Sequence, residues 1–377
     1  MWKKIIGQSN LKKIFVNIIS KNKFANSYIF YGKEGIGKDA FAIELAKIFN
    51  CINYIEKSGA CDECKYCRQI QNLNSPLVKF IIALPTGKKK TQNEDPLTAL
   101  DSESYQIYLE ELNLKSNNLY YKINIPDANS IRIDSIRNLI NEANFTIETN
   151  KKKFFIISEC DKLNEQSSNA LLKILEEPPK NSHFILTTSK PQTLLPTIWG
   201  RCQKIKFDNI SDDELKLYIN SNNTNLSTDE INLIVQLSNG SLSICKDIMH
   251  SYFFELREDV LKLLRAIIQN KYIEIHKCIL KICSGKDKMK QKQALAILIL
   301  WFRDINISNL GKLDFITNKD KKDNLNRYII NYHSHNFQII KLIDSAIKDI
   351  DTNVNPESLL FNLSFGIRSL ISEKVKS

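Results

Sequence analysis

The sequence predicts an α/β P-loop domain followed by domains built from helices alone. From residue 1 to about 208, short apolar runs rich in β-forming residues alternate with helical patterns, which is typical of a mainly parallel sheet. A glycine-rich segment follows the first of these runs and precedes a helical pattern, as a phosphate-binding loop does. After Asp208 only helical spacing remains.

Each predicted strand is a short apolar run that indicates a buried or half-buried position in the sheet. The stretch from about 85 to 121 interrupts the alternation, because it is rich in Lys, Asn, Asp, Glu and Ser. We interpret it as an insertion that carries one helix around residues 105–112. The predicted strands are 27–31 (SYIFY), 78–84 (VKFIIAL), 154–158 (FFIIS), 183–188 (HFILTT) and 203–207 (QKIKF).

The part after Asp208 is predicted to be all-α, because no strand pattern returns there. The final helical segment is apolar on more than one side, which predicts packing against a helical neighbour in the chain or in a partner. The predicted helical segments are a short group at about 212–250 and longer segments at 256–270, 291–305, 337–350 and 357–372.

Composition places the protein in the cytoplasm and away from membranes. The 377 residues are 43% hydrophobic and 25% charged, without a signal-type segment or an 18-residue apolar run. The net charge of +11 and the pI near 9.0 suit a protein that works close to phosphate backbones. The lysines are spread along the chain, so charge alone is weak evidence for DNA binding.

The segment GKEGIGKD, residues 32–39, has the parts of a phosphate-binding loop. Gly32, Gly35 and Gly37 allow successive backbone N–H groups to turn around phosphate oxygens, and Lys38 reaches the outer phosphates. A glycine-rich turn without a ligand is the plainer interpretation. The strand before the segment, the helix after it and a companion motif later in the chain argue against that interpretation.

Both expected magnesium-holding positions depart from the P-loop pattern. Asp39 stands where Ser or Thr would supply a neutral ligand, and its carboxylate would repel the phosphates. Ser158 directly follows the apolar residues 154–157 of the third predicted strand, where an aspartate is expected, and Glu159 keeps the position of a water-activating base. Two departures on one ion predict lost hydrolysis, with Glu159 as a vestigial base. They make ATP and magnesium doubtful cofactors.

Cys51, Cys61, Cys64 and Cys67 directly follow the predicted P-loop helix with the spacing C-x9-C-x2-C-x2-C. Four thiolates can close a tetrahedral shell around zinc, and a closed shell is structural rather than catalytic. Redox or merely buried cysteines are the alternative that a single CxxC would leave open. We predict a structural zinc module at residues 51–67.

Several segments along the first 208 residues match one family in order and spacing. They are IIGQSN (5–10), NSYIFYGKEGIGK (26–38), the four cysteines, NALLKILEEPP (169–179) and TTSKPQTLLPTIWGRCQ (187–203). The chain resembles the bacterial DNA polymerase III clamp-loader subunits of the gamma and delta-prime group, within the AAA+ ATPases. The resemblance implies an AAA+ domain at 1–208, a small helical lid domain at 209–252, and a helical C-terminal oligomerisation (collar) domain at 253–377.

The resemblance also implies roles for single residues. The GRC at residues 200–202 is similar to the family's Ser-Arg-Cys motif, which makes Arg201 a candidate trans arginine finger; a surface ion pair is the plainer alternative. Thr188 matches the family's sensor 1 position. The segment NGSLSICKDI (239–248) is similar to the sensor 2 region, with Ser243 in place of the arginine of ATP-hydrolysing members.

These departures favour the delta-prime type over the motor subunits. The resemblance then implies a subunit of the DNA polymerase III holoenzyme without ATPase activity of its own, which helps load the sliding clamp on primed DNA. The expected partners are gamma/tau and delta subunits, the sliding clamp, and primed DNA through the assembly. Two alternatives remain: an ATP-hydrolysing gamma/tau-type motor subunit that uses Asp39 and Glu159, and a zinc-dependent nucleic-acid adaptor unrelated to clamp loading.

Overall fold

The structure, a computed structural model, describes residues 2, 4–54, 59–86, 96–145, 151–222, 226–250, 253–350, 352 and 354–374. The chain forms two compact units. The first comprises residues 1–218 with 240–243, and the second comprises 219–239 with 244–377. The lid domain predicted at 209–252 is therefore divided between the two units, and the three-domain division stays a prediction. Among the described residues, no helix combines the length and apolar character needed to span a bilayer.

The first unit is built on a parallel five-stranded sheet in the order β2-β3-β4-β1-β5. All five strands predicted from the sequence are confirmed, with ends that differ by a few residues. The middle strand, β4, is buried along its whole length. The strands are β1 (Ser27–Tyr31), β2 (Val78–Ile81), β3 (Lys153–Ile157), β4 (Ser182–Thr188) and β5 (Gln203–Lys206).

Helices alternate with these strands, and local signals explain where several of them begin. Asn164 accepts a hydrogen bond from the backbone N–H of Ser167 and so caps α6. Asp101 caps α4 in the same way within the predicted insertion, where the helix expected at 105–112 is confirmed and is longer. The helices are α1 (Ser9–Ser20), α2 (Lys38–Asn50), α3 (Lys65–Gln71), α4 (Ser102–Asn117), α5 (Ile133–Asn144), α6 (Glu165–Glu176) and α7 (Pro196–Arg201).

Aromatic side chains pack on one face of the sheet and hold α1 and α2 there. Phe15 and Phe41 are fully buried, with their ring centroids 5.2 Å apart. Phe30 on β1 and Phe207 after β5 pack against Phe41 at 6.0 and 5.3 Å. Burial of each such side chain stabilises the fold by about 2 kcal/mol. The phosphate loop between β1 and α2 is therefore anchored at both ends by the core.

The residues after β5 form helices, as predicted. Ser227 and Glu230 form a reciprocal capping box at the start of α9. Two helices, α12 and α14, were not predicted from the sequence. The helices are α8 (Asp212–Asn222), α9 (Thr228–Ser238), α10 (Leu242–His250), α11 (Phe253–Ile268), α12 (Tyr272–Cys283), α13 (Lys288–Asn309), α14 (Lys322–Asn331), α15 (Asn336–Asp349) and α16 (Pro356–Ser369).

The prediction of an all-α C-terminal domain is wrong in one respect. Two short strands, β6 (Tyr332–Ser334) and β7 (Ile371–Glu373), pair antiparallel in the second unit. Each contains three residues, which is too short for an alternating pattern to be recognised in the sequence. The last helix, α16, was predicted to run to residue 372. It instead ends at Ser369, and the chain continues into β7.

Candidate functional site

The glycine-rich loop lies between the end of β1 and the first turn of α2, as the sequence predicts. Gly35 and Gly37 adopt φ angles of 75° and 96°, which residues other than glycine rarely adopt. A Cβ atom at Gly37 would lie 2.6 Å from the ring of Tyr120, and one at Gly35 would collide with Ser241. Other parts of the first unit therefore pack directly against the loop.

Lys38 folds back onto its own loop. Its Nζ atom donates to the backbone oxygens of Gly32 at 2.9 Å and Lys33 at 2.6 Å. Burial lowers the pKa of Lys38, an effect that Asp39, Glu34 and two further carboxylates oppose. The ammonium group is thus held by carbonyl groups of the phosphate loop, whereas the sequence predicts that it extends to the outer phosphates.

Asp39 is surrounded by hydrogen-bond donors. Its Oδ2 atom accepts from the hydroxyl of Ser158 at 2.8 Å, and its Oδ1 atom accepts from the hydroxyl of Thr187 at 2.6 Å. The Nζ atom of Lys115 lies 3.1 Å from Oδ2. The Asp39 side chain is only 19% exposed. The two positions predicted as altered magnesium ligands, Asp39 and Ser158, therefore contact each other.

The environment of Asp39 favours the charged carboxylate. Burial alone would raise the pKa of Asp39, but Lys115, the hydroxyls of Thr187 and Ser158, and Lys38 outweigh it and lower this pKa below its ordinary value. Lys115 is itself buried and donates a second hydrogen bond to the backbone oxygen of Tyr121 at 2.7 Å. A negative charge at Asp39 is thus stabilised by the chain's own groups.

Residues 115–122, which we call the covering segment, comprise the last three residues of α4 and the five that follow, and they lie over the phosphate loop. Lys115 reaches Asp39, and the ring of Tyr120 packs on Gly37. The hydroxyl of Tyr120 accepts from the backbone N–H of Ile6 at 2.8 Å. Lys122 forms an ion pair at 2.8 Å with Glu34 in the loop. The insertion predicted at 85–121 therefore reaches the candidate nucleotide site.

A second segment of the first unit also contacts the loop. The backbone N–H groups of Leu242 and Ser243 donate to the carbonyl oxygen of Gly35 at 3.0 and 3.2 Å. Ser243, which the resemblance aligns with the sensor 2 arginine, is buried against Gly35. The short serine side chain allows this close approach of the two backbones.

The two threonines at the end of β4 have different partners. Thr187 reaches Asp39, whereas Thr188, the expected sensor 1 residue, donates to Oδ1 of Asp161 at 2.6 Å. Glu159, the predicted vestigial base, forms ion pairs with Lys162 at 2.7 Å and Lys122 at 3.6 Å. The covering segment thus contacts this carboxylate as well.

Arg201, the predicted trans arginine, ends α7 just before β5. Its guanidinium binds the carboxylate of Glu176, with Nε 2.6 Å from Oε1, and Nη1 donates to the backbone oxygen of Thr197 at 2.9 Å. The side chain is 32% exposed and that of Glu176 is 47% exposed. The arginine is therefore held at the surface by partners from α6 and α7.

The four predicted metal ligands come together. Cys51 follows α2, Cys61 lies in the loop between α2 and α3, Cys64 directly precedes α3 and Cys67 lies within α3. Their Sγ atoms all lie within 4.8 Å of one another. Tetrahedral zinc with Zn–S bonds of about 2.3 Å requires sulfur separations of about 3.8 Å. The four thiols therefore fit a closed tetrahedral metal shell with small adjustments.

Backbone donors in this cluster favour one thiolate. Burial raises the pKa of Cys64, but hydrogen bonds from the backbone of Ile52 and Cys67 and from the thiols of Cys67 and Cys61 outweigh it and lower this pKa to about 6. Burial raises the pKa of Cys67. Since metals bind thiolates, the lowered pKa prepares Cys64 to act as a metal ligand near neutral pH.

The cysteine module is tied to the phosphate-loop helix and to the covering segment. Lys47 on α2 is fully buried, and its Nζ atom contacts Glu44 at 2.7 Å and Asp62 at 2.6 Å. The helix α3, which carries Cys67, extends the cysteine module to Gln71, and Gln71 donates to the backbone oxygen of Ser116 at 2.6 Å. The module therefore positions the residue next to Lys115.

Comparison with known proteins places this arrangement in a family. The sequence profile described as "DNA polymerase III, delta subunit" matches residues 7–211, which is more than half of the chain. The chain belongs to this family.

Relatives support the delta-prime type within the family. The chain is 26% identical over 363 residues to DNA polymerase III subunit delta' of Bacillus subtilis, covering 94% of each protein. It is 33% identical over 212 residues to DNA polymerase III subunit gamma/tau of Mycoplasma genitalium, covering 56% of this chain but 28% of that longer protein. The resemblance to a delta-prime-type clamp-loader subunit, stated from the sequence, is confirmed.

Among solved structures, a gamma-subunit-related DNA polymerase III protein from Thermotoga maritima matches with a TM-score of 0.45 and 19% identity. The match covers 95% of this chain and 98% of that one.

Three residues of the site in this family member were missed by the sequence analysis: Lys115, Tyr120 and Thr187. Lys115 and Tyr120 lie in a polar stretch without periodicity, so nothing local marks them. Thr187 could have been found, because Thr187 and Thr188 end the same strand and alternate residues face opposite sides of a sheet. Considering both faces of the sheet at the end of this strand would have identified both threonines as candidates.

Proposed function

We propose that this chain is a non-hydrolysing delta-prime-type subunit of the replicative DNA polymerase III clamp loader. In this proposal it supplies Arg201 to the nucleotide site of a neighbouring subunit and helps load the sliding clamp on primed DNA. Its partners are gamma/tau and delta subunits, and it works in the cytoplasm, with DNA contacted through the assembly. The match to a delta' subunit along 94% of both chains supports this assignment.

The observation that carries the non-hydrolysing role is the contact between Asp39 and Ser158. P-loop enzymes hold magnesium through the residues at these two positions. Here the carboxylate at one position accepts a 2.8 Å hydrogen bond from the hydroxyl at the other, and Lys115 supplies the neighbouring positive charge. Magnesium bound at this place would need to displace a buried ammonium group. In this proposal the P-loop of the chain therefore does not hydrolyse ATP.

The position of Arg201 supports a role in trans. Its ion pair with the exposed Glu176 is of the surface kind that contributes little to stability, about 0–1 kcal/mol. A guanidinium held in this way can exchange Glu176 for a phosphate of higher charge, because the released carboxylate is half exposed and can be hydrated. In the neighbouring site it would stabilise charge that develops on the transferred phosphoryl group.

We also propose that the four cysteines hold a structural zinc ion. A closed thiolate shell leaves no open position for substrate, so the metal would contribute to folding rather than to chemistry. The links from the cysteine module to Lys47 and Ser116 indicate what it holds in place, namely α2 and the covering segment.

The trans role is tested by Arg201→Ala in a loader assembled from purified subunits. We expect DNA-stimulated ATPase of the neighbouring subunit to fall by about 10³-fold or more, since an arginine finger contributes on that scale. Arg137→Ala is the matched control, because Arg137 is also a partly exposed, ion-paired arginine of the first unit. Undiminished ATPase with Arg201→Ala would reject the role.

The absence of intrinsic hydrolysis is tested with the purified chain alone. Magnesium-dependent ATPase above that of a Lys38→Ala variant would refute the proposal and favour a gamma/tau-type motor subunit. A zinc-dependent nucleic-acid adaptor would instead bind DNA tightly by itself and lose that binding on zinc removal. We expect the isolated chain to do neither.

A further inference from the structure

The environment of Asp39 has the composition of a cation site whose cation belongs to the protein. One carboxylate and two hydroxyls, those of Asp39, Ser158 and Thr187, converge within hydrogen-bond distance. Hard cations such as magnesium bind oxygen groups of this kind. The positive charge that is present is the ammonium of Lys115, 3.1 Å from Asp39.

We propose that Lys115 is the resident cation of this oxygen-lined site and stands in for a divalent metal. This role belongs to the isolated chain and goes beyond the proposed function, because it gives the predicted insertion a function that does not depend on the assembly. It also predicts a property that a plain ion pair lacks: removal of Lys115 should create a site for a divalent metal.

Burial is the first argument for this role. Lys115, Ser158 and Thr187 are all more than nine-tenths buried. Asp39 is 19% exposed and enclosed by these buried groups, and a carboxylate in such a place is disfavoured without a compensating cation, so the site requires positive charge from some source. Lys38 lies next to Asp39 in sequence but donates to Gly32 and Lys33, which leaves Lys115 as the contact cation.

The second argument is that Lys115 is held in place by the surrounding structure. Its ammonium also donates to the backbone oxygen of Tyr121, and the next residue, Ser116, accepts from Gln71 of the cysteine module. A tethered group binds at a high effective concentration, and magnesium gives up its hydration shell reluctantly. Free magnesium therefore competes poorly for Asp39 while Lys115 is present.

The charges around the site agree with this assignment. Asp39, Glu34, Asp161 and Glu159 all act on Lys38, while Lys122 pairs with Glu34 and Glu159 from the covering segment. Removal of Lys115 alone would leave the Asp39 carboxylate without a contact cation in a partly buried place. A small, oxygen-seeking divalent ion is the species that could supply the missing positive charge there.

The test uses the full chain, loaded with zinc, carrying Lys115→Met. Thermal melting is measured with and without magnesium, and manganese binding is measured by electron paramagnetic resonance. We expect the melting temperature to fall by about 5 °C or more without magnesium, and to recover largely when millimolar magnesium is added. Manganese should bind Lys115→Met at least about tenfold more tightly than the unaltered chain.

Two controls isolate the carboxylate and the position. Lys122→Met removes an ammonium from the same segment and should behave as the unaltered chain, because Lys122 and Glu34 are about half exposed. Lys115→Met with Asp39→Asn should be stable without magnesium and should lose the gained manganese binding. Failure of Lys115→Met to gain metal binding or metal-dependent stability would overturn the proposal and leave an ordinary ion pair.

If Lys115→Met does not fold, refolding is attempted with and without magnesium. Recovery with the metal supports the proposal, whereas recovery in the Asp39→Asn double variant but not with the metal leaves an ordinary ion pair and overturns it. Failure of both overturns it. None of these results depends on the clamp-loader assembly, so they are distinct from the test of Arg201.

Discussion

Ser158 donates a 2.8 Å hydrogen bond to Asp39 across a sequence separation of 119 residues. The sequence motif assigns these two residues to the positions that P-loop enzymes use to hold one magnesium ion. Here each satisfies the other, and Lys115 completes the charge balance. The departures from the motif are therefore coupled parts of one structure and not independent losses.

This coupling predicts the result of restoring the motif residues. In Asp39→Thr with Ser158→Asp, Lys115 would pair with the new aspartate and continue to fill the cation position. We expect no gain in binding of a fluorescent ATP analogue with magnesium. Adding Lys115→Ala should then tighten binding by at least about tenfold, a difference of about 1.4 kcal/mol. Tight binding by the double variant would contradict the coupling.

Lys47 should be important for stability. It is fully buried against Glu44, which is 2% exposed, so Lys47→Met would leave a buried carboxylate unpaired. We expect a loss of about 3–5 kcal/mol in the free energy of unfolding, measured in urea. Lys79→Met is the matched control: Lys79 pairs with Glu142 at the surface, and its loss should cost under about 1 kcal/mol. Equal effects of the two variants would argue against this account.

Metal removal should destabilise the first unit. We expect one zinc per chain by elemental analysis, and a lower melting temperature after chelation. Cys64→Ser should lose the zinc and mimic chelation, whereas Cys278→Ser, a half-buried cysteine of the second unit, should keep it. Full retention of zinc by Cys64→Ser would count against the four-cysteine shell.

His183 should make stability fall at mildly acidic pH. Burial lowers its pKa from 6.5 to about 4, opposed by the hydrogen bond with Ala25. The unfolded chain then takes up a proton between these values while the folded chain does not, so stability is full above pH 6.5 and decreases toward pH 4. The loss attributable to this residue is about 3 kcal/mol at most.

The comparison that isolates this effect is the pH dependence of unfolding in His183→Asn. Asparagine can donate a similar hydrogen bond but does not titrate. We expect a flatter profile between pH 4 and 6.5 than in the unaltered chain or in His276→Asn, which changes an exposed histidine. An unchanged slope in His183→Asn would show that other groups control the profile.

Much of the fold could be predicted because its signals are local. The strands are consecutive apolar residues, and the phosphate loop is one continuous segment between a strand and a helix. The helix α12 was missed although its buried residues Ile275, Ile279 and Ile282 recur at helical spacing, so it could have been found from the sequence.

The candidate site was only half predictable for the same reason. Asp39, Ser158 and the cysteines could be found because each departs from or fits a short motif. Lys115 and Tyr120 act on the loop only through the folded chain, from a polar stretch that carries no motif. Sequence reasoning therefore predicted what the site lacks but not what replaces it.

The contact of Gly35 with Leu242 and Ser243 has a consequence for synthesis of the chain. The strands of the sheet are complete once β5 has left the ribosome, but the two N–H donors for the Gly35 carbonyl are translated later. Domains fold from the N-terminus as they emerge from the ribosome, so the phosphate loop lacks these two hydrogen bonds until Leu242 and Ser243 have been translated. A fragment that stops at residue 208 contains all five strands of the sheet and still ends before the residues that complete its phosphate loop.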